Sequence, residues 1–165
     1  MKTKITATEE IIDDEEVTVW RIDKGNGTIV INLNMVFDNS IYECDWLDNN
    51  HEFIQVMYSD WNDNDLFAIV SAEGKIIRDG IRGVEEVLEE QKLFIVEMSG
   101  LGMGDEAVEY NLDADDWKMA VINRHGEFVI PPVYIKIWFE DTENIFYADN
   151  YTGIEHKFSL VGRRI

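Results

Sequence analysis

A mainly β protein of about three hairpin-type repeats, packed as one domain with little helix, is the fold this sequence predicts. Three observations carry that expectation. Apolar residues alternate with period two along most segments, glycine-centred turns separate those segments, and one stretch recurs 52 positions later. At 165 residues the chain is long enough to bury a proper core, and 45% hydrophobic with 12% aromatic residues is a globular composition.

The elements follow in chain order. Residues 1–16 form an acidic N-terminal segment, in which Thr8 to Glu16 offers a weak helix candidate around Ile11 and Ile12. Val17-Thr-Val-Trp-Arg-Ile22 reads as a strand. Lys24-Gly25-Asn26-Gly27 is a turn, after which Ile29, Ile31, Leu33, Met35 and Phe37 fall on one face of a further strand. Phe53–Tyr58, Phe67–Val70, Leu93–Met98 and Lys118–Ile122 complete the strand set, with turns at Ala72-Glu73-Gly74 and Arg124-His125-Gly126. Val84-Glu-Glu-Val-Leu-Glu-Glu90 carries apolar residues at i, i+3 and i+4 and is the second helix candidate.

The repeat emerges from the turns. Phe67-Ala-Ile-Val-Ser-Ala-Glu-Gly-Lys-Ile-Ile77 aligns with Met119-Ala-Val-Ile-Asn-Arg-His-Gly-Glu-Phe-Val129, and Leu93-Phe-Ile-Val96 aligns with Ile145-Phe-Tyr-Ala148 at the same offset. A more divergent copy lies near Gly27, and Phe158-Ser-Leu-Val-Gly162 opens a fourth. The units run approximately 17–65, 66–116 and 117–165. No unit of this size hides its apolar face alone, so the units must stack or close on one another.

The stretch from Met119 through Asn123, Gly126 and Pro131-Pro132 to Tyr134 resembles one unit of the WG-repeat family. Members carry a strand ending in Asn or Asp, two residues, Gly, an apolar pair, then Pro-Pro and Tyr. The match extends over Val121–Tyr134 and, less fully, Phe67–Ile77. At the family's Trp-Gly pair this chain has Met119-Ala120, Phe67-Ala68 and Phe158-Ser159, which keeps a large apolar residue followed by a small one. The resemblance implies a β-repeat architecture and a bacterial setting, in which some members act as immunity or interaction proteins.

Charge supplies the strongest functional signal. The chain has 34 Asp and Glu against 14 Lys and Arg, a net charge of −20. Acidic and basic residues balance from Trp117 onward, so the deficit lies in residues 1–116, and no Lys or Arg occurs from Gly25 to Gly74. Such a surface repels nucleic acid and anionic membranes and attracts basic partners. The single Cys44 forms no internal disulfide, the first residues lack an apolar signal-type run, and no segment has membrane-span length. A cytoplasmic protein of a bacterial cell or its phage is expected, with no cofactor and no enzymatic activity.

Each constellation has a plain alternative. The acidic runs at Glu9–Glu16, Asp45–Asp65 and Asp105–Asp116 solubilise any surface they cover. A merely solubilising surface mixes signs, and the absence of cations over Gly25–Gly74 favours a phosphate-mimicking face instead. Asp60-Trp-Asn-Asp-Asn-Asp65 begins like a calcium loop, but Asp65 stands where Gly is required and Ser71 where a bidentate Glu is required. Gly100-Leu-Gly-Met-Gly104 lacks the third glycine of a dinucleotide fingerprint, Asp105 occupying its place, and reads as a flexible connection. Cys44 lies between Glu43 and Asp45, which disfavour a thiolate, and His51, His125 and His156 are dispersed. Trp117 leads into a strong strand and reads as core. Trp46 and Trp61 sit in Asp/Asn-rich connections and read as anchors for a partner's Arg.

The expected interaction face comprises Asp38, Asp45, Trp46, Asp48, Asp60, Trp61, Asp63 and Asp65, with Asp113 and Asp115 as a second contributor. Its partner is a basic protein such as a nuclease or nucleoprotein complex, which the chain inhibits as an immunity protein or a phage anti-CRISPR or other anti-defence factor. The competing expectation is a non-enzymatic scaffolding β-repeat protein whose acidity serves solubility alone.

Overall fold

The computed structural model describes residues 3–25, 28–37, 40–60 and 62–165, and the chain is mainly β throughout. It divides into two compact units, Met1–Asp79 and Gly80–Ile165. The first holds β1 (Thr3–Ile12), β2 (Glu15–Lys24), β3 (Thr28–Asn32), α1 (Leu33–Phe37), β4 (Ile41–Trp46), β5 (Phe53–Ser59) and β6 (Asp65–Ser71). β7 (Ile76–Leu88) begins in it and ends in the second. The second continues with β8 (Leu93–Ser99), α2 (Gly100–Met103), α3 (Glu106–Glu109), β9 (Trp117–Asn123), β10 (Phe128–Tyr134), β11 (Lys136–Glu140), β12 (Ile145–Asp149) and β13 (Glu155–Phe158).

In the first unit β1, β2 and β3 form an antiparallel sheet in that order, and β4, β5 and β6 form an antiparallel ladder. Alternation places Ile22, Ile41, Cys44, Ile54, Val56, Ala68 and Val70 in one core with Leu33 and Phe37 from α1. In the second unit β7 to β10 form successive antiparallel pairs, and β11, β12 and β13 form a separate three-stranded sheet. Leu93, Ile95, Val121, Ile130, Ile137, Phe146 and Phe158 make its core.

Five turns among the described residues share one hydrogen-bond pattern. At Asp60, Ser71, Asn123, Asn150 and Ser159 the residue's N–H donates to the carbonyl four positions on and its own carbonyl accepts from the N–H three positions on. The fourth residue of each, Asp63, Gly74, Gly126, Gly153 or Gly162, has φ between +61° and +88°. In the four glycine-containing turns this is the three-residue hairpin loop in which a left-handed residue follows a type I turn. The pair Ser71 and Asn123 is the 52-residue recurrence seen in the sequence.

Several sequence expectations are corrected. Thr8 to Glu16 is not helical: Thr3–Ile12 pairs residue for residue with Glu15–Lys24, and Asp13 and Asp14 form the two-residue turn at φ +52° and +66°. Val84–Glu90 is not helical either, because Ile81–Leu88 pairs along β8, with bulges at Arg82 and Glu85 where the register shifts. The extra residue at Glu85 sets Val87 three positions after Val84 and produced the false helical spacing. The strand expected through Phe37 stops at Asn32, whose Oδ1 accepts the Asn34 N–H at 3.0 Å and starts α1. Buried Asn34 then ties α1 to β2, its Oδ1 accepting from Trp20 N–H at 2.7 Å and its Nδ2 donating to Thr18 C=O at 2.9 Å.

The glycine-rich stretch after β8 is a built turn rather than a loose connection. Ser99 caps α2 by accepting the Gly102 N–H at 3.0 Å, and Met103 is buried. A Cβ on Gly80 would collide with the Gly102 carbonyl, one on Gly102 with the Gly80 carbonyl, and one on Gly100 with the Asp113 carbonyl. Trp117 is 37% exposed, with the Arg82 guanidinium 4.9 Å from its ring centroid, so it is a surface cation–π partner and not core. No helix among the described residues is long and apolar enough to cross a membrane.

Candidate protein-binding surface and cleft

The hairpin β4–β5 carries Glu43 and Asp45 at positions opposite Met57 and Gln55, while Asp65 of β6 lies opposite Ser59 toward the other end of β5. Along β4, Ile41 and Cys44 turn into the core while Tyr42, Glu43 and Asp45 are exposed. Trp46 packs against the edge of that core and stacks on His51, ring centroids 4.5 Å apart and planes inclined by 8°. His51 holds φ +57° in the connecting turn. Burial, reinforced by Asp45 and Glu43, pushes the Cys44 thiol up to about 12, so it is an inert core residue at neutral pH.

The expected face residues separate into distinct roles. Asp45 is exposed on β4 and Trp46 is half-buried beside it. Asp48 is corrected: it is 8% exposed, and its carboxylate accepts the N–H groups of Glu52 at 3.0 Å and Phe53 at 2.9 Å. It pins the β4–β5 turn and presents no charge outward. Asp60 is half-buried and accepts from Asn62 N–H and Asn64 N–H, both at 2.9 Å. The Asn64 backbone bond chiefly holds its carboxyl below the ordinary Asp value. Its calcium-like spacing is therefore that of a backbone-capping turn. Asp63, at the left-handed turn position, and Asp65, first in β6, are exposed. Asp38 and Trp61 lie outside the described residues. Asp113 and Asp115 are exposed in the loop before β9 and belong to the second unit.

Asp45, Asp63 and Asp65 have no ion-pair partner among the described residues, where the recorded salt bridge joins Arg21 to Glu10 at 2.6 Å. These carboxylates are thus available to an outside cation. Among the described residues no group of three or more His, Cys, Asp or Glu side chains is arranged to hold a metal ion.

Residues that sequence reasoning did not select complete the site. A cleft of about 540 Å³ lies within the first unit, lined by β1, Trp20 of β2, β4 and His51. Trp20 Nε1 and His51 Nδ1 are buried with no hydrogen-bond partner. The missed signal was β4 itself, in which Ile41, Cys44 and Trp46 alternate imperfectly with Tyr42, Glu43 and Asp45 because a register shift falls between Ile41 and Glu43. No protein-family model and no curated protein matches this chain.

Proposed function

We propose that this chain is an acidic binding protein that inhibits a basic nucleic-acid-binding protein or nuclease by occupying its phosphate-binding surface. The observation that carries this reading is the run without Lys or Arg from Gly25 to Gly74, over which Asp45, Asp63 and Asp65 are exposed on the strands and turns of paired hairpins. Carboxylates set on paired strands replace phosphate charges at fixed spacing, and their approach releases the anions condensed on the basic partner. A net charge of −20 steers encounter and makes association fast and salt-sensitive. An immunity protein guarding a cell from a toxin and a phage-encoded anti-defence inhibitor use the same mechanism. The resemblance to WG-repeat units agrees with either setting.

The test reverses or neutralises charge at exposed positions. Asp45→Lys, Asp63→Asn and Asp65→Lys together, with Asn tolerated at the left-handed position of residue 63, should abolish inhibition of the partner nuclease while circular dichroism and the thermal midpoint stay near the parent's. A scaffold whose acidity only solubilises it would keep its partner through that change.

A further inference from the structure

The cleft in the first unit has a lining that says how it is oriented. Successive residues of a strand point to opposite faces, so a cavity lying over one face touches every second residue. This cleft touches Thr3, Lys4, Ile5 and Ala7 of β1, mostly one face, but residues 43–46 of β4 consecutively. It is therefore a slot running along the edge of β4, with β1 as its other wall. Both edges are open among the described residues, since β1 pairs with β2 and β4 with β5, each at the end of its sheet.

The register of β4 shows which backbone groups face the slot. Leu47 N–H donates to Phe53 C=O, and pairing residues alternate along an antiparallel ladder. Asp45, opposite Gln55, therefore bonds to β5, whereas Cys44 and Trp46 turn their N–H and C=O groups outward to the open edge. The side chains of Glu43 and Asp45 stand exposed on one face of that edge. Trp20 and His51 also line the slot, and the stacked Trp46 and His51 rings close one end of its wall.

We propose that the slot receives an extended segment of the basic partner, which adds as an antiparallel strand to the open edge of β4 and sets Lys or Arg beside Glu43 and Asp45. This proposal rests on the reading of the chain as the binder of a basic protein. β4 is the docking edge because β1 offers Lys4 to the slot, which repels the same cations. A second copy of the chain is disfavoured as occupant, because pairing two β4 edges would oppose Glu43 and Asp45 with their own duplicates. Main-chain bonds supply the affinity, and alternate side chains supply the selection. Residues opposite Cys44 and Trp46 are small and apolar, and those opposite Glu43 and Asp45 are cationic.

A ten-residue capped peptide alternating Arg and Val is the probe, with two derivatives N-methylated at every Val or at every Arg amide. Residues bonded to Cys44 and Trp46 are the Val positions, so Val methylation should weaken binding about tenfold or more while Arg methylation leaves it within about threefold. On binding of the parent peptide, the Trp20 indole N–H resonance should shift. Glu43→Lys with Asp45→Lys, both at exposed positions, should also lose about tenfold or more. Equal binding by both methylated peptides would overturn strand addition. If that equal binding were still salt-sensitive, the acidic-surface reading would survive it. Failure of the parent peptide to bind at low salt would overturn the slot proposal, while the charge-reversal test on the nuclease judges the function separately.

Discussion

Asp45 and Asp48 are three residues apart and chemically identical, yet one is exposed on a strand and the other is folded under a turn. Their variants should part accordingly. Asp48→Ala strips the acceptor from two backbone N–H groups and should cost about 1–3 kcal/mol in a urea titration, with partner affinity per folded molecule unchanged. Composition made the acidic face legible, but which carboxylates serve it depends on turn geometry that the residue letters do not encode. Glu86 gives a second prediction. Partial desolvation on the outer face of β7, then the charges of Asp141 and Glu85, raise its pKa, so the folded state holds its proton more readily than the unfolded chain does. Its favourable contribution is full below the unfolded pKa and declines as pH rises through the raised one. Glu86→Gln should therefore raise the thermal midpoint at pH 7, and that gain should vanish below about pH 4. Glu10 behaves oppositely, because its hydrogen bond to Arg21 lowers its pKa and that support fades as pH falls.

At the level of elements, hairpins and their turns carry the architecture. The left-handed fourth residue of the shared turn explains why Gly74, Gly126, Gly153 and Gly162 punctuate the sequence, with Asp63 adopting the same conformation. Short apolar, β-branched and aromatic runs bounded by turns, such as Phe53–Tyr58 and Leu93–Met98, were legible because that signal is local. β7 was not, since two bulges break its period, and the Asp13-Asp14 turn was hidden inside an acidic run. The reciprocal approach of Gly80 and Gly102 predicts an asymmetric response to alanine. Gly102→Ala forces a Cβ onto the Gly80 carbonyl and should destabilise the second unit by about 1–3 kcal/mol. Gly83→Ala meets only the Glu97 carboxylate at 3.7 Å and should stay within about 1 kcal/mol of the parent. Chemical denaturation with hydrogen exchange on β7 and β8 distinguishes the two.

For the whole molecule the governing quantity is the charge of −20 and its uneven placement along the chain. Charge acts over distance, so the expectation of a basic partner needs only the sequence, whereas the edge slot required the strand pairing to be known. The acidic face and the slot both belong to the first unit, so isolated binding energetics should respond to changes there before changes at Asp113 or Asp115. The account stands or falls on the class of partner. The direct measurement is capture from the source cell's lysate at roughly physiological salt, where screening acts beyond about 8 Å, followed by elution with nucleic acid. The account predicts one stoichiometric nucleic-acid-binding protein, released by competing nucleic acid and not by the wash. A spread of basic proteins shed by modest salt, or a partner indifferent to nucleic acid, would contradict it.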